Sequence, residues 1–196
     1  IPNFSLPVSV FVNALEIRSL SLGADLAGQE VELAVSAHAE VRSSDQWDMA
    51  LDVEQLDPLG LKAHLAAAMH EGPAGLDLDM RFADHPHGLV LGRLGLDIAE
   101  PLLLSLRGSG PISDWKATLK AHMADTQLVS ASFGMQTGPD EIILSAQSKL
   151  FPLPLLPQKL TSLLPEIERI DADFAATANP ELYSFQLQRA FLQSKL

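Results

Sequence analysis

The feature that most constrains this chain is a two-residue alternation that recurs along its length. Val31, Leu33, Val35, Ala37, Ala39 and Val41 alternate with Glu32, Ala34, Ser36, His38, Glu40 and Arg42. Trp47, Met49, Leu51 and Val53 are interleaved with Asp48, Ala50, Asp52 and Glu54. Leu59, Leu61, Ala63 and Leu65 follow, with Lys62 and His64 between them. Leu76, Leu78, Met80 and Phe82 enclose Asp77, Asp79 and Arg81. Neighbouring side chains of a strand point to opposite faces, so each stretch predicts a strand with one apolar and one wet face. Further strands are predicted at 8–17, 102–107, 115–123, 128–135, 142–147, 170–176 and 183–191.

The joints between these stretches are short and rich in turn residues: Arg42-Ser43-Ser44-Asp45, Asp57-Pro58, Glu71-Gly72-Pro73, Thr137-Gly138-Pro139-Asp140 and Asn179-Pro180. Short joints imply antiparallel neighbours, because a parallel crossover needs roughly a dozen residues or more. Two stretches depart from the alternation. Residues 88–98, GLVLGRLGLDI, are apolar and glycine-spaced and allow a short helix. Residues 151–165, FPLPLLPQKLTSLLP, suit a helix with Pro157 in its first turn, Leu160, Leu163 and Leu164 on one face, and Pro165 as its stop. The organisation expected is a first length of sheet over 1–150, a helical insert at 151–166, and more sheet over 167–196. A faint repeat links residues 36–47 and 105–115. Both run from a strand through small polar residues to Asp and Trp.

The chain has 196 residues, 47% of them hydrophobic, enough to bury a substantial apolar surface. Thirteen basic against twenty-five acidic residues give a formal net charge of -12. That balance excludes nucleic acid as a partner, since phosphate contacts by Lys and Arg carry such affinity. Electrostatic docking on anionic lipid headgroups is disfavoured for the same reason. There is no cysteine, hence no disulfide, thiolate metal site or thiol catalysis. No apolar run reaches the ~18 residues that span a bilayer. The chain begins at Ile1 rather than Met and is expected to be a section of a longer parent.

The candidate chemical motifs fail one by one. Gly108-Ser109-Gly110-Pro111 lacks the third glycine of a dinucleotide loop, Ser standing at 113, and the Gly-Lys-Ser/Thr of a phosphate loop. It reads as a turn, after which Trp115 opens a strand on the apolar face with Leu119 and Met123. His85 and His87 have no further ligand at a recognised spacing. His38, His64 and His122 fall on polar-face positions and read as solvated. The carboxylate pairs Asp77/Asp79 and Asp48/Asp52 could serve a glycosidase or a cation, but read as a wet sheet face. No Gly-x-Ser-x-Gly elbow is present. The sequence predicts no enzyme, no metal and no cofactor.

The apolar faces carry the functional signal. About ten strands with about three apolar side chains each would cost tens of kcal/mol if left wet, at roughly 1.5–3 kcal/mol per large side chain. They need a second sheet, helices or an apolar ligand as cover. Pattern alone favours an antiparallel β-sandwich, acting as a binding or scaffold module; the alternative is a sheet curled around a greasy groove.

The order of joints resembles a known family. Leu6-Pro7-Val8-Ser9-Val10 leads into Leu15-Glu16-Ile17 and Leu20-Ser21-Leu22-Gly23. A Gly28-Gln29 joint and the 31–41 strand follow. After the glycine-spaced apolar stretch come residues 101–107, then Gly108-Ser109-Gly110-Pro111 and Asp114-Trp115. This is similar to the amino-terminal periplasmic part of TamB-type proteins of the AsmA-like superfamily. The resemblance implies an elongated, mostly β fold: a curled antiparallel-to-mixed sheet, the β-taco, with one or two short helices. It implies a parent chain anchored in the inner membrane of a diderm bacterium and crossing the periplasm. Phospholipid acyl chains would be carried in the groove, with a link to outer-membrane protein assembly and an Omp85-type outer-membrane protein, TamA, as partner. The expected groove residues are Val31, Leu33, Val35, Trp47, Met49, Leu51, Leu76, Leu78, Met80, Trp115, Leu119 and Met123.

Overall fold

The computed structural model describes residues 9–27, 30–56, 60–72, 75–86, 88, 89, 91, 100–138, 141–151, 169–179 and 184–195. They form one open, eleven-stranded sheet in which spatial order equals chain order. The strands are β1 (Val10–Leu22), β2 (Val31–Ser43), β3 (Gln46–Gln55), β4 (Lys62–His70), β5 (Gly75–Asp84), β6 (Leu102–Ser109), β7 (Asp114–Met123), β8 (Thr126–Thr137), β9 (Ile142–Leu150), β10 (Arg169–Asn179) and β11 (Ser184–Lys195). Every strand pair is antiparallel. Among the described residues the one parallel contact is an isolated bridge between Gly75 and Gly110, so the sheet is antiparallel rather than mixed.

All eleven strands coincide with stretches predicted from the alternation, with two instructive shifts. β1 runs past Ile17 to Leu22. Its apolar positions are Val10, Val12, Leu15, Ile17, Leu20 and Leu22, and the spacing slips by one residue twice. The structure absorbs each slip in an irregularity of register, between Val12 and Leu15 and between Ile17 and Leu20, so the apolar side chains keep to one face. β4 lies over Lys62–His70 rather than 59–65. Ala66 and Ala68 occupy its polar side, which hides the alternation, and residues 57–59 lie outside the described set.

A four-residue helix, α1 (Ala24–Ala27), interrupts the link between β1 and β2. Of the 88–98 stretch, Leu89 and Leu91 are helical and 90 and 92–98 lie outside the described residues. The helix predicted at 151–165 lies outside them too, except for Phe151. β9 and β10 pair over nine positions, from Ile142↔Ala178 to Leu150↔Ile170. The sheet therefore continues without a break across the insert.

The long connections, 23–30, 56–61, 85–101 and 151–168, all leave from the same end of the strands, while the opposite end has hairpin turns. The best-buried large apolar side chains gather at that end: Val31, Leu33, Leu61, Leu91 and Leu128. Two polar residues stand there in the apolar phase of their strands. Gln55 accepts the Leu61 N–H on Oε1 at 3.3 Å, and the fully buried Asp84 accepts the Leu91 N–H on Oδ2 at 2.8 Å. Each ties down the backbone of the connection that follows it, satisfying groups that burial would otherwise strand. No second sheet is present among the described strands, so the sandwich alternative is not what forms.

Candidate functional site

The strand register assembles the apolar positions into rungs that run across the sheet. One rung passes through Ile17, Val35, Val53, Ala63, Phe82, Leu104, Ala121, Val129, Leu150 and Ile170. A second passes through Leu15, Ala37, Leu51, Leu65, Met80, Leu106, Leu119, Ala131, Ser148 and Ala172, broken only by the serine. A third passes through Val12, Ala39, Met49, Ala67, Leu78, Gly108, Ala117, Phe133, Ala146 and Phe174. A fourth is split, into Val10-Val41-Trp47-Met69-Leu76 on β1–β5 and Trp115-Met135-Leu144-Ala176 on β7–β10. No rung contains a charge. Nine steps of about 4.8 Å make each complete rung about 43 Å long.

All twelve residues singled out from the sequence fall on this face. Val35, Trp47, Met49, Leu51, Leu76, Leu78, Met80, Trp115 and Leu119 stand in the rungs. Val31 and Leu33 lie beyond them at the buried end, opposite Leu22 and Leu20, and Met123 stands opposite Leu102. Sequence reasoning left out the equivalent positions on β6, β8, β9 and β10, which carry the same alternation and include Leu104, Leu106, Phe133 and Phe174. The face is open in its middle: Met49 is 40% exposed, Leu51 37% and Phe133 36%. Large apolar side chains so exposed on one face mark a surface meant to be covered.

The break in the fourth rung is closed by Trp115. Its ring lies against Gly108 of β6, where any Cβ would enter the indole. The indole Nε1–H donates to the Leu76 carbonyl of β5 at 2.8 Å. Gly110, at φ 125°, turns the chain out of β6 so that its carbonyl accepts the Leu76 N–H at 2.9 Å. The turn that looked like a phosphate loop is thus a joint that seals three strands.

The opposite face is polar, and many of its acidic side chains have a basic or histidine partner. Asp48 and Asp52 meet His38 and His64 at 2.8 and 2.6 Å, and Asp77 meets His70 at 3.1 Å. Glu54 meets Lys62 at 2.6 Å. Asp79 is held by Arg81 at 2.7 Å, with Arg107 3.5 Å away. The hydrogen bond from Arg81 lowers the Asp79 carboxyl below its ordinary pKa; the cost of burial opposes it, and the charges of Arg81, Arg107 and His64 reinforce it. His38 and His64, read as solvated, are therefore exposed but paired. The carboxylate pairs considered as catalytic or cation sites are divided among histidine and arginine partners on their own and neighbouring strands. Two hollows on this face, of 780 and 570 Å³, lie where Ala50, Ala66 and Ala68, and Ala83 with Leu103, stand between longer polar side chains. Among the described residues no three His, Asp or Glu side chains converge as a metal site would require, and no helix is long and apolar enough to cross a membrane. Compared with protein families, with characterised proteins and with solved structures, the chain matches none.

Proposed function

We propose that this chain is a lipid-conducting segment, with phospholipid acyl chains lying along the rungs of its apolar face. The observation that carries the reading is the unbroken, uncharged rung from Ile17 to Ile170 on a face left open at Met49, Leu51 and Phe133. An acyl chain covers such a face as a second sheet would, recovering about 25 cal/mol for each Å² removed from water. The rungs offer similar aliphatic groups at every strand. A chain moving across them meets no deep site to leave and no charge to pass, which is what conduction needs and catalysis does not. The reading is therefore of a non-enzymatic protein without metal or cofactor. Its polar face, with the ion pairs of β2–β7, keeps the exterior wet.

The resemblance to TamB-type proteins extends the proposal to the cell. On it, the parent chain is held in the inner membrane of a diderm bacterium, this segment lies in the periplasm as one section of a bridge, and an Omp85-type protein, TamA, receives it at the outer membrane.

The test is site-specific. A photoreactive residue at position 51 or 78 should crosslink lipid, and one at 52 or 79, on the polar face, should not. Leu51→Asp places an unpartnered charge against acyl chains, at a cost of several kcal/mol. It should block lipid passage while circular dichroism shows an intact sheet, and Asp52→Ser should pass lipid normally. Equal crosslinking from both faces, or none from the apolar one, sinks the proposal.

A further inference from the structure

We infer that the polar face carries a separate binding trough for an uncharged, linear oligosaccharide across β7–β11. The inference does not rest on the lipid reading, because it concerns the other side of the sheet.

The register places Thr118, Ser132, Gln147, Asp173 and Phe191 in one straight row on five consecutive strands. A hollow of 480 Å³ follows this row and is bordered by Lys149 on the next. Four steps of about 4.8 Å give the row a length of about 19 Å. Short side chains make the floor: Ser132 lies between Thr118 and Gln147, so a ligand can settle against the sheet itself.

The chemistry of the row selects the ligand. Hydroxyl, amide and carboxylate groups follow one another on β7–β10, offering both donors and acceptors to a ligand that itself repeats donors and acceptors. Charge is balanced. Lys149 stands beside Asp171 and Asp173, and Asp171 is already held by Arg169 at 2.8 Å. In a chain of net charge -12 this patch offers a polyanion little attraction and a polycation little more. Phe191 breaks the polar pattern. It stands opposite Asp173 at the end of the row and is 55% exposed. An exposed aromatic ring at the end of a hydrogen-bonding row gives a flat apolar platform, and the C–H face of a sugar ring is the natural partner for one within a hydroxyl-rich ligand. A sugar polymer meets all three demands: repeated hydroxyls, no charge, and an apolar ring face.

The experiment is calorimetric titration of the purified chain with neutral cello- and chito-oligosaccharides of increasing length, at millimolar concentration. Affinity should rise with each added sugar until the row is filled and then level off. Gln147→Ala and Phe191→Ala should each weaken binding about fivefold or more, the effect of losing one net hydrogen bond or an equivalent contact. Asp52→Ser, outside the trough, should leave it unchanged. Circular dichroism of each variant checks the sheet, and the mid-sheet Gln147 variant provides a second reading should the edge-strand one unfold. Absence of heat with every oligosaccharide overturns the inference. So does affinity independent of length, undiminished binding by both trough variants, or equal binding of an acidic oligosaccharide.

Discussion

Trp115 joins three strands through one side chain, and Gly108 is the residue that lets it. The indole covers the Gly108 backbone and donates to Leu76, two strands away. Gly108→Ala should displace the ring and cost about 1–3 kcal/mol, as overpacking does. Trp115→Phe keeps an aromatic ring but loses the N–H donor, and should cost about 1 kcal/mol. Urea denaturation measures both, and a Gly108→Ala chain as stable as the parent would mean that the ring does not rest there. Asp79 offers a second test. Its carboxyl is held below the ordinary range, first by the hydrogen bond from Arg81. A lowered folded-state pKa stabilises the fold above the unfolded-state value and loses that contribution as pH falls through the folded one. Asp79→Asn should therefore melt earlier than the parent at neutral pH, and the two should converge once acid has protonated the parent's own carboxyl. Much at this scale was legible from sequence: Trp115, Leu119 and Met123 share the apolar side, as their spacing demands. The His–Asp pairs were not legible, because they join residues on different strands whose register only the fold supplies.

The strands themselves were readable because a period of two in polarity has few physical meanings. What obscured some of them was local. In β4, Ala66 and Ala68 face the polar side and erase the contrast. In β1, two insertions shift the phase, so that 10–12, 15–17 and 20–22 look like fragments of different patterns until the irregularities rejoin them. Gln55 and Asp84 were hidden for the opposite reason: they sit in the apolar phase yet serve the backbone of the connections. The irregularities of β1 can be tested in this cysteine-free chain. Val12→Cys with Ala39→Cys places two thiols on directly opposed residues and should form a disulfide on oxidation. Deleting Asn13 from that double variant removes the extra residue, so the Val12 position should stay opposite Ala39 in a regular ladder and the disulfide should still form. Non-reducing gels read the outcome, and a disulfide lost on the deletion would mean that the slip is absorbed elsewhere.

For the whole molecule the surface area is the telling quantity. The chain exposes 12957 Å², where a compact protein of 21.1 kDa exposes about 9,000 Å². An open sheet whose long axis crosses its strands accounts for that excess. Small-angle scattering should give a radius of gyration well above the about 16 Å of a compact chain this long. A value at the compact limit would mean that the sheet folds onto itself or pairs its apolar face inward. The pattern of one apolar face was legible along the whole sequence. Its openness was not, because alternation is identical in a sandwich, a barrel and a groove.

Spatial order equals chain order in this sheet, and that has a consequence for how it is made and unmade. Each strand needs only the strand before it, so the sheet grows from one end like a zipper while the chain is still emerging. Its stability is nearly a sum over neighbouring pairs, as in repeat proteins. Tension applied between β1 and β11 loads the pairs in series, and they should separate singly, in succession. Stretched in a force spectrometer, the chain should lengthen in many small steps rather than one large rupture. A sheet built in this way should yield locally under strain and re-form from whatever length of it remains.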